Sequence, residues 1–77
     1  MKTFEQALGK VLAERRLEAK LSQEALAAMC DVHATYVSQL ERGLKSPTVR
    51  TLRTIAKALR VPAAELLAQA EQQYGTV

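Results

Sequence analysis

Apolar residues recur along the chain at intervals of three and four, the spacing that lines one face of an α-helix. The pattern begins with Phe4, Leu8, Val11 and Leu12 and resumes in four later segments, whereas alternating strand-type runs are absent. It predicts an all-α chain of five short helices. The first three are predicted over residues 4–19, 23–29 and 34–42. The fourth follows Thr48 and carries apolar residues to position 59, and the fifth starts near position 62 and extends to about 72.

Residues of capping type mark the predicted helix boundaries. Thr3 and Gln6 have the spacing of a capping box, in which each side chain accepts a backbone N–H. Ser22 is a favourable N-cap for the second helix, and Gly43 supplies the left-handed residue that often ends a helix. Three apolar pairs have the five-residue spacing of a hydrophobic staple. They are Leu21 with Leu26, Val32 with Val37, and Val61 with Leu66.

Length and composition exclude several classes of protein. The 77 residues have room for one domain. A single cysteine, Cys30, allows neither an internal disulfide nor a multi-cysteine metal site, so we expect a reduced, cytoplasmic setting. No apolar run approaches the roughly 20 residues that span a bilayer, and the charged first segment does not fit a signal peptide. With one histidine and no glycine-rich phosphate loop, we expect no enzyme, no cofactor and no metal.

Charge is distributed unevenly along a chain whose formal net charge is +3. Residues 42–60 contain six basic residues and no acid, whereas residues 62–77 contain two acids and no base. The six are Arg42, Lys45, Arg50, Arg53, Lys57 and Arg60. One part of the molecule should therefore be electropositive, which permits a nucleic-acid partner without requiring one.

The second and third helices are joined by only four residues, 30–33. So short a connection makes the two helices cross steeply, as in a helix-turn-helix, here over residues 23–42. The outward positions of the third helix are predicted to be Ala34, Thr35, Ser38 and Gln39, which are small or uncharged. A helix that enters the major groove of DNA needs such a face, because long charged side chains would keep it from the base edges.

At these residues the chain closely resembles the phage-repressor family, the lambda-repressor and Cro-like helix-turn-helix proteins. The resemblance covers about residues 4–67 and is carried by the segments LSQEALA, VHATYVSQLERG and SPTVRTLRTIAKAL. It implies a five-helix lambda-repressor-like fold. It also implies a regulator of transcription that binds double-stranded DNA as a homodimer, with repression of a palindromic operator as the expected activity.

The resemblance implies a role for each matching residue. Those implied to contact DNA are Gln23, His33, Ala34, Thr35, Tyr36, Ser38, Gln39, Lys45, Ser46 and Arg50. Arg16 and Glu41 are implied to form an internal salt bridge. Helix five and the tail, residues 63–77, are implied to form the dimer interface, with Leu66, Leu67 and Tyr74 as its apolar residues. The chain departs from the pattern in having Asp31 where the turn usually has glycine, although aspartate tolerates the left-handed conformation better than most residues.

Several alternatives remain open at this point. His33 is either a DNA contact or a plain N-cap, and Cys30 is expected to be an unreactive core residue. Lys57 and Arg60 are expected to lie on a solvated face. The protein could instead be an antitoxin with a toxin as partner, or a restriction–modification controller that regulates its own operon. An adaptor that kept the fold and lost DNA binding is a third interpretation, which the uncharged face of the third helix disfavours.

Overall fold

The computed structural model describes residues 2–75, which form five α-helices and no strand. They are α1 (Phe4–Glu18), α2 (Gln23–Cys30), α3 (Ala34–Glu41), α4 (Val49–Leu59) and α5 (Ala63–Tyr74). The predicted order and number of helices are confirmed, and each boundary agrees to within two residues. None of the helices in the described range is long and apolar enough to cross a membrane.

All five helices contribute to one hydrophobic core. α1 packs against α3 and α5, and α4 packs against α2 and α5. α3 packs against both α1 and α2 and is held between them. The largest fully buried side chains are Val11, Leu26, Ile55 and Leu66. These belong to α1, α2, α4 and α5, and α3 contributes Val37 and Leu40 to the same core.

Three of the four connections between helices use one apolar residue twice. The backbone N–H of each such residue closes the preceding helix by bonding a carbonyl five positions back along it, as in a Schellman motif. The bonds run from Leu21 to Arg16, from Val32 to Ala27 and from Val61 to Ala56, at 3.1, 3.0 and 3.0 Å. The same residues precede the N-caps of the next helices and pack against the core, as the predicted staples require.

Each of these motifs needs a left-handed residue, and none of the three is glycine. Lys20, Asp31 and Arg60 have φ of 61°, 57° and 61°. The prediction that Asp31 adopts this conformation is therefore confirmed. An L-residue in the left-handed region costs about 1 kcal/mol or more, so these turns are held by the bonds and packing around them.

α1 approaches the C-terminal end of α3 closely enough to require glycine. A Cβ on Gly9 would lie 2.3 Å from the carbonyl oxygen of Leu40 and 2.5 Å from that of Glu41. Gly43, with φ of 76°, ends α3 against the first turn of α1, where a Cβ would lie 2.5 Å from Cγ of Gln6. The backbones of the two helices are thus in direct contact.

The structure corrects one residue of the implied dimer interface. Leu66 is 0% exposed and belongs to the core, where it fills the space between α5 and its neighbours. Leu67 and Tyr74 remain 38% and 49% exposed. The ring of Tyr74 also meets that of Phe4 edge to face, with centroids 5.8 Å apart. Positions 76 and 77 of the implied interface lie outside the described residues.

Candidate nucleic-acid interface

α3 presents one buried and one accessible face. Val37 and Leu40 point into the core. Thr35 is exposed, and Ser38 and Gln39 are half-buried, so these three polar residues form the accessible face together with His33 at the N-cap position. The side chain of His33 makes no capping hydrogen bond. The accessible face is therefore uncharged wherever histidine is neutral.

Two residues that were expected to contact DNA, one of them on this face, lie partly inside the molecule. Ala34 and Tyr36 are half-buried and pack against the hydrophobic core. Their positions leave only part of each side chain available to a ligand. The polar face of α3 is accordingly narrower than the sequence predicted, and Thr35, Ser38 and Gln39 make up most of it.

The N-terminus of α2 lies beside this face and has unpaired backbone donors. Ser22 Oγ accepts the N–H of Ala25 at 3.0 Å and so caps the helix. In an α-helix the N–H groups of the first two residues, here Gln23 and Glu24, have no acceptor within the helix. Such an N-terminus favours an anion, and a DNA phosphate is one.

A partly buried ion pair holds α1 and α3 together and also reaches α2. Arg16 donates to both carboxylate oxygens of Glu41, from Nε at 2.7 Å and from Nη2 at 3.1 Å. The pair implied by the family resemblance is therefore present. A third donor, Nη1 of Arg16, bonds the carbonyl of Leu21 at 2.8 Å in the loop between α1 and α2. The hydrogen bonds with Glu41 raise the pKa of the Arg16 guanidinium above its ordinary value, so this residue stays charged.

Gln23 joins the same network, which sequence reasoning missed. Its Nε2 donates to Oε1 of Glu41 at 2.9 Å. One of the two Nε2 hydrogens is thus directed into the protein, and the second is left for another acceptor. The first residue of α2 is therefore bonded directly to Glu41, the last residue of α3. The 18 positions that separate the two residues leave no local signal of this contact in the sequence.

The loop that follows α3 supplies positive charge near the C-terminal end of that helix. The N–H of Leu44 bonds the carbonyl of Gln39 at 2.9 Å, which fixes where the loop leaves α3. Lys45, Ser46 and Arg50 are all exposed. Thr48 Oγ1 accepts the N–H of Thr51 at 3.1 Å and caps α4, so that Arg50 lies in the first turn of that helix.

Comparison with known proteins agrees with this arrangement. A family model described as helix-turn-helix matches residues 12–66. Control protein C.BamHI of Bacillus amyloliquefaciens is 41% identical over 58 residues, which are 75% of this chain and 72% of the relative. The uncharacterized HTH-type transcriptional regulator y4dJ of Sinorhizobium fredii is 39% identical over 70 residues, 90% of this chain and 91% of the relative.

Solved structures show the same fold. The clp gene regulator ClgR from Corynebacterium glutamicum matches with a TM-score of 0.91 and 28% identity over 96% of this chain and 95% of that chain. The restriction-modification controller protein C.AhdI from Aeromonas hydrophila matches with a TM-score of 0.78 and 32% identity over 80% and 94%. The chain therefore belongs to the lambda-repressor and Cro-like helix-turn-helix family and is a DNA-binding regulator of transcription.

Proposed function

We propose that the protein acts as a homodimer on a palindromic operator, with α3 of each protomer in successive major grooves on one side of the duplex. The half-site centres would then lie about 34–36 Å apart, one turn of B-DNA. Repression by occupation of a promoter is the expected outcome. The proposed function involves no catalytic step, and cytoplasmic DNA is the partner.

The observation that carries this proposal is the accessible face of α3. Its side chains are short and uncharged, the bond from Gln23 to Glu41 places the N-terminus of α2 beside the end of α3, and the loop from 43 to 48 follows α3 directly. A major groove presents base edges at its floor and phosphates along both rims. The face and the two segments beside it have the matching chemistry, with polar side chains for bases and nearby donors for phosphates.

Base reading is assigned to the polar residues on the accessible face of α3. Gln39 has an amide that can pair with both N6 and N7 of adenine, and Thr35 offers a methyl group to thymine. Ser38 can donate to or accept from several bases, so it adds less discrimination. His33 lies at the start of the helix with its side chain free of a capping bond, which fits a DNA contact better than a pure capping role.

Phosphate binding is assigned to Gln23, Lys45, Ser46 and Arg50. The N–H of Gln23 and its remaining Nε2 hydrogen are the donors at the start of α2. Lys45 and Arg50 add charge, so the logarithm of the binding constant should fall with the logarithm of salt concentration by about 0.9 per phosphate neutralised. Affinity that is independent of salt would contradict this assignment.

Dimerisation is assigned to the outer face of α5. Leu67 is an exposed apolar residue in that helix. No lysine or arginine follows position 60, so this part of the chain offers no positive side chain to DNA. Leu67→Glu should lower the dimer fraction in sedimentation equilibrium and leave the helical circular dichroism unchanged. Leu17→Glu is the matched control, since Leu17 is an exposed leucine of α1. The assignment to α5 would be refuted if both variants lost the same fraction of dimer, or if neither variant lost any.

A specific likeness favours the restriction–modification controller over the antitoxin. C.BamHI is named a control protein, and C.AhdI is a restriction-modification controller protein with 32% identity. This chain covers 72% and 94% of those two chains, so it is similar in size as well as in sequence. Regulation of the operon that encodes it, next to a restriction and a modification enzyme, is therefore the second candidate function.

The decisive experiment is selection of bound sequences from random duplex DNA. Wild type should enrich a palindromic consensus, and Gln39→Ala should relax the preference at one symmetric pair of positions. Glu18→Ala, which shortens an exposed side chain of α1 outside every assigned contact, should enrich the wild-type consensus. No enrichment by the wild type at low salt would refute specific DNA binding and favour the adaptor interpretation. A consensus without two-fold symmetry would refute the dimeric arrangement alone.

A further inference from the structure

The C-terminal ends of α1, α2 and α4 meet around an exposed methionine. Met29 is 56% exposed although it lies among apolar neighbours. Two adjoining cavities of about 410 and 480 Å³ share Met29 and Ala58. We call the surface that they form the Met29 groove. The remaining lining residues are Ala19, Leu21, Leu59 and Arg60 in the first cavity, and Thr54 and Lys57 in the second.

The Met29 groove combines an apolar floor with a basic edge. Its only charged lining residues are Lys57 and Arg60. Among residues 2–75 the ion pairs join Arg15 to Glu65 and Arg16 to Glu41, so neither edge cation has an acidic partner in this part of the chain. α4 itself contains no acid, and its exposed basic side chains continue from the groove toward Arg50.

The position and chemistry of the groove do not match a DNA backbone. Met29 is six residues beyond Gln23, about 9 Å along the axis of α2 from the end assigned to phosphate. Met, Ala and Leu side chains on the floor offer no donors to phosphate oxygens. A ligand that fits the groove therefore needs apolar groups to cover its floor and negative groups to reach the two cations at its edge.

We propose that the Met29 groove binds an acidic amphipathic segment of a partner protein. Apolar side chains of the segment would cover Met29 and Ala58, and its carboxylates would pair with Lys57 and Arg60. Methionine suits such a site because its flexible thioether adapts to different partner side chains. Amphipathic helices commonly bind apolar grooves in this way. The α5 face of a second copy fits less well, because α5 has two acids and one of them, Glu65, is already paired with Arg15.

The proposal is tested by titrating a probe peptide into the ¹⁵N-labelled protein without DNA. The probe is a helical 16-residue peptide with leucine on one face and glutamate on the other, and the control peptide has lysine in place of glutamate. The amide signals of Ala19, Met29 and Ala58 should shift saturably with the acidic peptide and less with the basic one. Lys57→Glu should weaken binding at least about fivefold. Lys10→Glu, which reverses an exposed lysine of α1, should not.

Four results would overturn the proposal. They are no saturable shift, equal shifts with the basic peptide, the same shifts on adding duplex DNA, or the same shifts on concentrating the protein alone. The same shifts with duplex DNA would assign the groove to the DNA interface, and the same shifts on concentration would assign it to contact between copies of the chain. Because the titration contains no DNA, its failure leaves the proposed operator binding untouched, and unchanged circular dichroism of Lys57→Glu would exclude misfolding as the cause of lost binding.

Discussion

Replacing Glu41 with alanine should destabilise the protein far more than its small side-chain volume suggests. The side chains of Arg16 and Glu41 are 12% and 7% exposed, and the pair makes two hydrogen bonds. Without Glu41, the guanidinium keeps only the carbonyl of Leu21 and cannot lose its proton. Removing one partner of a buried pair typically costs about 3–5 kcal/mol. Since Arg16 retains some contact with water, we expect a loss of about 3 kcal/mol in the free energy of unfolding.

That loss is large against the stability of a domain of this size. At about 0.05–0.15 kcal/mol per residue, the whole chain should be stable by roughly 4–12 kcal/mol. A loss of about 3 kcal/mol then lowers Tm by roughly 12–24 °C. Urea denaturation followed by circular dichroism measures the change directly, and an unchanged slope with denaturant would show that the unfolded state is not altered.

The chain contains its own control for this experiment. Arg15 and Glu65 form a second arginine–glutamate pair, but their side chains are 22% and 45% exposed. Glu65→Ala should cost less than about 1 kcal/mol, because water screens the pair and solvates the arginine that remains. The double replacement Arg16→Met with Glu41→Leu should recover much of the loss, since apolar side chains need no partner there. Equal losses for Glu41→Ala and Glu65→Ala would refute the argument from burial.

Three further predictions follow from the backbone and from the buried thiol. Gly9→Ala should cost about 2–3 kcal/mol in the free energy of unfolding, because the new Cβ would meet the carbonyl oxygens at the end of α3. Asp31→Gly should raise the free energy of unfolding by about 0.5–1 kcal/mol, because glycine adopts the left-handed conformation without strain. Ala28→Gly inside α2 should lower the free energy of unfolding by about 1 kcal/mol in the same assay. Burial raises the pKa of the Cys30 thiol, so the unfolded chain loses this proton first as pH rises. Stability should therefore fall with pH above about 8.5, less steeply in Cys30→Ala, and an identical slope in both proteins would contradict the assignment.

The sequence was sufficient to predict the helices because their signals are local. The capping box of Thr3 and Gln6 spans three positions, and each staple spans five. Pairs at such spacing are made whenever the helix forms, whatever the rest of the chain does. The helix-turn-helix was predictable for the same reason, because the short connection and the left-handed Asp31 constrain the crossing of α2 and α3 without help from distant residues.

Contacts between distant segments were predicted less well. The approach of Gly9 to the end of α3 joins positions more than 30 apart, and the bond from Gln23 to Glu41 joins positions 18 apart. Neither leaves a periodic signal. Only the resemblance to a known family indicated the pair of Arg16 and Glu41 in advance. Leu66 was placed wrongly although its staple with Val61 already directed it inward, because adjacent helical residues point about 100° apart and only one of the two leucines could face the core.

The network around Glu41 connects stability to recognition. In the proposed operator complex the N-terminus of α2 meets a phosphate while the accessible face of α3 meets the bases, so the two helices must keep one fixed relation. The bond from Gln23 to Glu41 fixes the start of α2 against the end of α3, and Arg16 holds Glu41 in place from α1. A buried ion pair adds little stability compared with apolar residues of the same volume. Its presence here is better explained by the register that it imposes on the helix-turn-helix.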